Sequence, residues 1–272
     1  MKRYLEQCEI YKKLSPHTLK SYKKVVMDLE KIVGSVKPEK IRVEHIQKYI
    51  SDMRGRGVSD ETIKLRLVII KTILNFLKNI GVEVLHSHLI DLPKVAQKGR
   101  QICGDVELEK FIGEVTNKRD KAILEIIKSS GMRISEVVSL KVSDIQKKQI
   151  PIVGKGGKLR LVFISDKARE LVEDYLKDKK FKNSEFVFNG LVSNRHVTSA
   201  CVQSIFRKIG KKVGVDINPN MLRHIFATRN LRSGVSLNGV QKLLGHSSIN
   251  TTAIYLHITD EDLEKEWEKG NK

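Results

Sequence analysis

The sequence lacks the features that mark secreted, zinc-binding or membrane-spanning proteins. Its three cysteines, Cys8, Cys103 and Cys201, lie far apart and show no Cys-x-x-Cys or Cys/His spacing, which argues against a disulfide framework and against a zinc site. No apolar run approaches the ~18–20 residues that span a bilayer, and the amino terminus has no signal-peptide core. We therefore expect a soluble, cytoplasmic protein that needs no metal and no other cofactor.

Acidic residues are scarce relative to basic ones. The 272 residues include 51 Lys and Arg against 32 Asp and Glu, which gives a net charge of +19 and a pI near 9.8. Such an excess is expected when the ligand is a polyanion, so nucleic acid is the leading candidate partner. With 40% hydrophobic residues the chain can bury a sizeable core, and its length allows one or two domains, of which we favour two.

Helical periodicity dominates residues 1–92 and predicts an N-terminal helical domain. One amphipathic helix is predicted from Ser15 to Val33, a second over 43–54, and a third from the N-cap Ser59 to a stop near Gly81. Basic residues lie between the apolar positions. They predict a DNA-facing side, although a solvated polar face explains any single lysine about as well. The predicted DNA contacts are Lys20, Lys23, Lys24, Arg66 and Lys71, together with Lys158 from the second half.

Residues 93–104 contain proline, glycine and several basic residues, and they predict an extended interdomain linker before a second domain at 105–272. In that domain, helices are predicted near 105–116, 118–130 and 134–140 and then from Ser165 to the end. Two β-branched runs, 150–153 and 159–164, flank a glycine-rich turn and predict a hairpin. The fold class is therefore mainly α, with two domains and a small antiparallel β-sheet.

Several short motifs of the second half carry residues suited to phosphoryl transfer. In chain order they are Gly131-Met132-Arg133-Ile134-Ser135-Glu136, Gly154-Lys155-Gly156, Asn220-Met221-Leu222-Arg223-His224, Leu244-Gly245-His246-Ser247 and Thr251-Thr252-Ala253-Ile254-Tyr255. Each motif alone is weak, because a single arginine is more often ion-paired and a single tyrosine is more often packed in a core. The ordered set resembles the tyrosine recombinase (phage integrase) family, in particular its Xer-like members. The segment from Ser15 to Tyr22 resembles the start of the family's core-binding domain.

The resemblance implies a SAM-like core-binding bundle followed by a catalytic domain with a C-terminal tail helix. It also implies a site-specific DNA recombinase that cuts and rejoins strands through a 3′-phosphotyrosyl intermediate. The implied catalytic residues are Arg133, Lys155, Arg223, His246 and the nucleophile Tyr255. Two guanidiniums suit this chemistry because they stay protonated and bind phosphate oxygens in a bidentate manner. Glu136, one helical turn after Arg133, is predicted to be a buried partner that positions this arginine.

One position departs from the family pattern. Asn220 occupies the place of the usual histidine, and its amide can donate a hydrogen bond to phosphate but cannot exchange a proton. We expect weakened or pH-shifted chemistry at this position. The alternatives are a DNA-binding member of the family that has lost catalysis and a type IB topoisomerase-like enzyme.

The partners implied by the resemblance are double-stranded DNA with a specific core site and further copies of the chain. The copies would form a dimer on one site and a tetramer in synapsis, with no membrane involved, and the protein would be nucleoid-associated. Chromosome-dimer resolution and integration or excision of a mobile element both remain open as the biological task, as does delivery of Tyr255 in cis or in trans.

Overall fold

The computed structural model describes residues 16–95, 103–154, 157, 159–190 and 195–245. The chain divides into two units, Met1–Gly99 and Arg100–Lys272. This division falls inside the predicted linker 93–104, while the exact domain limits stay a prediction. Within the described residues, no helix is both long and apolar enough to cross a membrane.

Three α-helices make up most of the described part of the first unit. They are α1 (Pro16–Val33), α2 (Val43–Gly55) and α3 (Asp60–Asn79), with short 3-10 turns at Pro38–Lys40 and Ser87–Leu89. All three helices start and end within a few residues of the predicted limits. The start of α3 follows from its cap, because the Ser59 side chain accepts a hydrogen bond from the backbone N–H of Thr62.

The core of the first unit lies between these three helices. Tyr49 and Met53 of α2 pack with Ile63 and Leu67 of α3, and all four side chains are fully buried. Val26 of α1, with 1% of its surface exposed, belongs to the same cluster. The predicted amphipathic faces therefore meet in one core, as the periodicity requires.

The second unit is mostly helical and contains one small sheet among its described residues. Its helices are α4 (Asp105–Glu114), α5 (Lys118–Ser130), α6 (Ile134–Val138), α7 (Val142–Ile145), α8 (Asp166–Asp178), α9 (Ser199–Val213), α10 (Pro219–Arg232) and α11 (Leu237–Leu244). Strands β1 (Ile150–Val153) and β2 (Leu159–Val162) form an antiparallel pair in which Ile150 faces Val162. The predicted fold class, mainly α with a small antiparallel sheet, is confirmed.

Helix α5 is the central element of the second unit. Every residue from Ala122 to Ile127 is buried, and the helix packs against both α8 and α10. A helix that is buried on all sides has a fixed position, because it cannot shift without opening the core. Gly131, at the end of α5, and the neighbouring start of α6 are therefore attached to a helix that the core holds in place.

Helices dominate the described residues from Ser165 onward, as predicted, and the main exception is the stretch between α8 and α9. Its described residues, 179–190 and 195–198, contain no helix. They are held by backbone pairing instead: the Val187 N–H donates to the Leu140 carbonyl at 2.8 Å, and the Val197 N–H donates to the Phe188 carbonyl at 2.9 Å. Buried β-branched and aromatic residues make this extended packing favourable.

Candidate active site

Arg133 is the N-cap residue of α6, directly after the α5 terminus. Its backbone N–H donates to Glu136 Oε2 at 2.8 Å, and its side-chain Nη1 donates to Glu136 Oε1 at 3.1 Å. The side chain is 36% exposed, so Glu136 binds Arg133 without burying it completely. The predicted partnership between Glu136 and Arg133 is confirmed.

Glu136 serves a second arginine as well. Arg160 of β2 donates from Nη1 to Glu136 Oε1 at 2.9 Å and from Nη2 to Oε2 at 2.6 Å. Burial raises the pKa of the Glu136 carboxyl, but the hydrogen bonds from Arg160 and Arg133 and their positive charges outweigh it, so this pKa lies below its usual value. Glu136 is therefore a carboxylate at neutral pH and carries full negative charge between the two guanidiniums.

Arg160 was missed by the motif comparison, although the sequence contains a signal for it. In the run Leu159-Arg160-Leu161-Val162, strand alternation places Arg160 on the same face as the buried Val162. An arginine on the buried face of a strand needs a partner, because an unpaired buried charge is strongly destabilising. The signal is partial, because alternation alone does not tell which face is buried, and Leu159 and Leu161 on the opposite face are the exposed ones in the structure.

Arg223 lies on α10 and is buried, with 5% of its surface exposed. Its Nη1 donates to the carbonyl of Gly131, and its Nη2 donates to the carbonyl of Leu244 at 2.5 Å. One guanidinium thus joins the C-terminal ends of α5 and α11. Gly131 precedes Arg133 by two residues in the chain. The contact between Arg223 and Gly131 therefore brings the two predicted arginines to the same place in the fold.

Both helix ends held by Arg223 finish in a glycine whose backbone lies in the left-handed region. Gly131 has φ 64° and Gly245 has φ 63°. A Cβ at Gly131 would lie 2.4 Å from Phe226 Cδ1, and a Cβ at Gly245 would lie 2.6 Å from Arg160 Cδ. Glycine is required at both positions, because the backbone conformation and the close approach each exclude a side chain.

Comparison with known proteins identifies the family. The sequence model of the phage integrase family matches residues 105–262, and that of the phage integrase N-terminal SAM-like domain matches residues 1–81. The chain belongs to the phage integrase family. It is 31% identical over 269 residues to the tyrosine recombinase XerA of Saccharolobus solfataricus, a match covering 93% of this chain and 86% of the relative. It is also 31% identical to the tyrosine recombinase XerC of Thermodesulfovibrio yellowstonii, a match covering 98% and 94%. The resemblance stated from the motifs is confirmed.

Solved structures of the phage integrase family share the fold. The Tn1549 transposon integrase in complex with a circular intermediate DNA has a TM-score of 0.78 at 16% identity, covering 98% of this chain and 97% of that one. The XerA recombinase has a TM-score of 0.55 at 24% identity, covering 100% and 99%. At these identities the likeness concerns the fold.

Asn220, the departure from the family pattern, lies in the first turn of α10 and is exposed. Asn218 caps this helix by accepting a hydrogen bond from the Met221 N–H at 3.0 Å. Asn220 precedes Arg223 by three residues, which places the two on neighbouring positions of one helix face. The Asn220 amide therefore lies at the positive end of α10, where a phosphate is favoured.

Four of the predicted site residues lie outside the described residues: Lys155, Lys158, His246 and Tyr255. In the sequence, the two lysines belong to the segment between β1 and β2, and His246 directly follows Gly245. The catalytic roles of Lys155, His246 and Tyr255 and the DNA contact of Lys158 stay predictions. Of the predicted catalytic set, the structure describes Arg133, Arg223 and Asn220.

The predicted DNA contacts of the first unit fall into two groups. Lys20, Lys23 and Lys24 are exposed on α1. Arg66 is instead 81% buried at its side chain, where its Nη1 donates to Asp28 Oδ2, and Lys71 donates to the Ile90 carbonyl at 2.9 Å. Binding of DNA by any of them stays a prediction, but Arg66 and Lys71 already have structural partners inside the unit.

The described residues contain no group of three or more His, Cys, Asp or Glu side chains arranged to hold a metal ion. Cys103 and Cys201 are both free. Burial raises the pKa of the Cys103 thiol to about 11, with a further contribution from the nearby Glu107 carboxylate.

Proposed function

We propose that this chain is a site-specific recombinase that cleaves and rejoins DNA through a 3′-phosphotyrosyl bond to Tyr255. The observation that carries the proposal is the arrangement of Arg133 and Arg223 at adjoining helix ends, in a chain of the phage integrase family. Attack on a phosphodiester builds negative charge on the phosphorane oxygens, and two preorganised guanidiniums stabilise that charge.

Tyr255 supplies the attacking oxygen in this proposal. A free phenol has a pKa near ~10, so the proton of Tyr255 has to leave during attack. The new bond joins the Tyr255 oxygen to phosphorus, and the bond from phosphorus to the 5′-oxygen breaks. Lys155 donates a proton to this departing oxygen, with Lys158 as the rival donor, and His246 hydrogen-bonds the phosphate.

The covalent intermediate keeps the energy of the broken bond. The 5′-hydroxyl of another strand can therefore reverse the reaction without ATP and without a metal. The chain would therefore exchange strands between duplexes, whereas a nuclease only cuts them.

The proposed partners are duplex DNA with a specific core site and further copies of this chain. Support for DNA comes from the charge of +19 and from family structures described as bound to DNA, including a XerH recombinase on its difH substrate and a lambda integrase dimer on a COC′ core site. We propose a dimer on one site and a tetramer in synapsis. As the biological task, resolution of chromosome dimers and integration or excision of a mobile element both fit a Xer-like enzyme.

The decisive experiment is covalent capture of DNA. The protein is incubated with sheared genomic DNA of the organism that carries the gene, quenched in detergent, and the attached strand ends are sequenced. A duplex of the recovered site, nicked near the cleavage point, should then trap wild-type protein covalently, because the short released strand diffuses away. Tyr255→Phe should bind the same duplex and form no covalent complex.

Three outcomes would replace this proposal. Covalent trapping by Tyr255→Phe would remove the assigned nucleophile. Binding without trapping by wild type, and no gain on Asn220→His, would support the DNA-binding alternative suggested by Asn220. Relaxation of supercoiled plasmid without sequence preference would support the topoisomerase-like alternative.

A further inference from the structure

Arg160 lies where a charge is costly to place. Its side chain is 7% exposed, on the buried face of β2 between the exposed Leu159 and Leu161. A hydrophobic residue would fill the inner face of a small sheet at lower desolvation cost. The positive charge at this position therefore calls for an explanation beyond packing.

All three nitrogens of the Arg160 guanidinium donate hydrogen bonds. Nη1 and Nη2 bind the two oxygens of Glu136, and Nε donates to the Leu243 carbonyl at 3.1 Å. Bidentate contacts of this kind fix both the distance and the plane of a carboxylate. Arg160 thus fixes Glu136 against the C-terminal end of α11.

The end of α11 is held by two arginines at successive carbonyls. Arg160 binds the carbonyl of Leu243, and Arg223 binds that of Leu244. The next residue, Gly245, lies against the Arg160 side chain so closely that a Cβ would meet its Cδ at 2.6 Å. Positive charge is favoured at a helix C-terminus, so the two contacts stabilise the backbone that immediately precedes His246 in the chain.

Glu136 divides its charge between two guanidiniums. Each of its oxygens accepts one hydrogen bond from Arg133 and one from Arg160. With Arg160 present, the three side chains together carry a net charge of +1. Without Arg160, Glu136 would pair with Arg133 alone, and the net charge facing a phosphate at Arg133 would fall to zero.

From this arrangement we propose that Arg160 is a positioning residue for strand cleavage. It holds Glu136 so that Arg133 keeps its orientation and its positive charge toward the phosphate, and it fixes the end of α11 from which the chain continues to His246. Arg160 itself does not touch the DNA. This inference rests on the proposed function, because it assigns a role in the same reaction.

The test compares Arg160→Met, Arg160→Lys and a control variant on a nicked duplex of the site that covalent capture by wild-type protein identifies. Arg160→Met should lower the single-turnover rate of covalent complex formation at saturating DNA by roughly 10²-fold, the size expected when catalytic groups are misplaced by about 1 Å. DNA affinity should change little. Arg160→Lys keeps the charge but loses the bidentate contact, so its rate should lie between those of wild type and Arg160→Met.

Arg169→Met is the matched control. Arg169 also binds carbonyls at the end of a helix, those of Ile145 and Lys147, but it lies on α8 and contacts neither Glu136 nor α11. Its loss should lower thermal stability and leave the cleavage rate within about twofold, as expected for distant, independent positions. An equal rate loss in both variants would reduce Arg160 to a stabilising residue and overturn the proposal.

A duplex with sulfur in place of the bridging 5′-oxygen tests the rival explanation, that Arg160 acts through the hairpin lysines. Attack then breaks a phosphorus–sulfur bond and releases a thiolate, which needs no proton donor. This substrate should restore cleavage by Lys155→Ala and leave Arg160→Met slow. Restoration of Arg160→Met would assign its effect to the leaving group and overturn the proposal.

Hydrogen exchange tests the inference even if wild type forms no covalent complex. Arg160→Met should speed amide exchange in peptides covering 131–138 and 237–245, because both segments lose a contact, while Arg169→Met should not. Faster exchange there supports the positioning role independently of DNA cleavage. Unchanged exchange in both segments would overturn it.

Discussion

Each unit contains, among its described residues, a carboxylate that binds two arginines. In the first unit, Asp28 of α1 accepts hydrogen bonds from Arg56 at 3.3 Å and from Arg66, and it also accepts one from the Tyr49 hydroxyl at 3.3 Å. In the second unit, Glu136 accepts hydrogen bonds from Arg133 and Arg160. In both clusters one arginine is mostly buried and the other is partly exposed.

The clusters differ in what they hold together. The residues around Asp28 come from α1, from α2 and its C-cap, and from α3, so this cluster joins the helices of the first unit. Glu136 instead caps the backbone of its own short helix and reaches the strand that contacts α11. The first cluster therefore joins the helices of its unit, whereas the second orients Arg133, which belongs to the candidate active site.

The largest expected effect comes from Arg223, which binds both helix ends at the candidate site. Arg223→Met removes a guanidinium from the proposed phosphorane contacts and leaves two buried carbonyls without a donor, so cleavage should fall by about 10²–10³-fold. The measurement is the rate of covalent complex formation on the nicked duplex, with DNA binding followed in parallel.

Arg229→Met is the control on the same helix. Arg229 pairs at 2.7 Å with Asp105, which is 85% exposed at its side chain, so its loss should change stability and cleavage little. If Arg223→Met cleaved as fast as Arg229→Met, the candidate site of the second unit would have only a structural role, like the Asp28 cluster of the first unit. The functional distinction between the two units would then disappear.

The next effect separates the two carboxylates directly. Asp28→Asn should destabilise the first unit by about 1–3 kcal/mol, since three donors lose a charged acceptor. Its cleavage rate at saturating DNA should stay near that of wild type. Glu136→Gln should slow cleavage by at least tenfold because it frees both arginines from a fixed orientation.

Unit-specific stability can be read by hydrogen exchange on the full chain. Asp28→Asn should speed exchange in peptides from 16–95 and leave those from 103–154 unchanged. Slow cleavage by Asp28→Asn at saturating DNA, with wild-type exchange throughout, would show that the first cluster also has a catalytic role.

The sequence predicted the local parts of this comparison. The helix starts, the hairpin and the pairing of Arg133 with Glu136 depend on neighbours a few residues apart, and their spacing is visible in one dimension. Strand alternation also places Arg160 and Val162 on one face, although it does not show that this face is the buried one. These features could be predicted because the backbone geometry of a helix or a strand fixes which side chains are adjacent.

The long-range partners could not be predicted. Arg66 and Asp28 lie 38 residues apart, Arg160 and Glu136 lie 24 apart, and Arg223 reaches a carbonyl 92 residues away. No periodicity relates such positions, since their contact depends on how helices and strands pack. Some arginines of the basic surplus also have structural partners inside the fold, as Arg66 has in Asp28.

The smallest expected effect is the acid dependence of stability in the first unit. Burial raises the pKa of the Asp28 carboxyl, but the hydrogen bond from Arg56 and the charges of Arg66 and Arg56 outweigh it, so the folded-state pKa lies below the ordinary aspartate value. A group with a depressed pKa contributes stability above its unfolded pKa, and this contribution is lost as the pH falls through the folded value. Wild type should therefore lose stability as acidification passes below the ordinary aspartate range.

Asp28→Asn has no carboxyl to protonate at this position. The stability that hydrogen exchange reports for peptides from 16–95 should therefore fall less steeply with acidification than in wild type. Glu136, whose pKa is also depressed, provides the matching test in the second unit: Glu136→Gln should flatten the acid slope in peptides from 131–138 and not in those from 16–95. Equal slopes for wild type and Asp28→Asn across the acid range would mean that Arg56 and Arg66 do not stabilise the ionised carboxylate. The two clusters would then differ in electrostatics as well as in the parts of the fold they join.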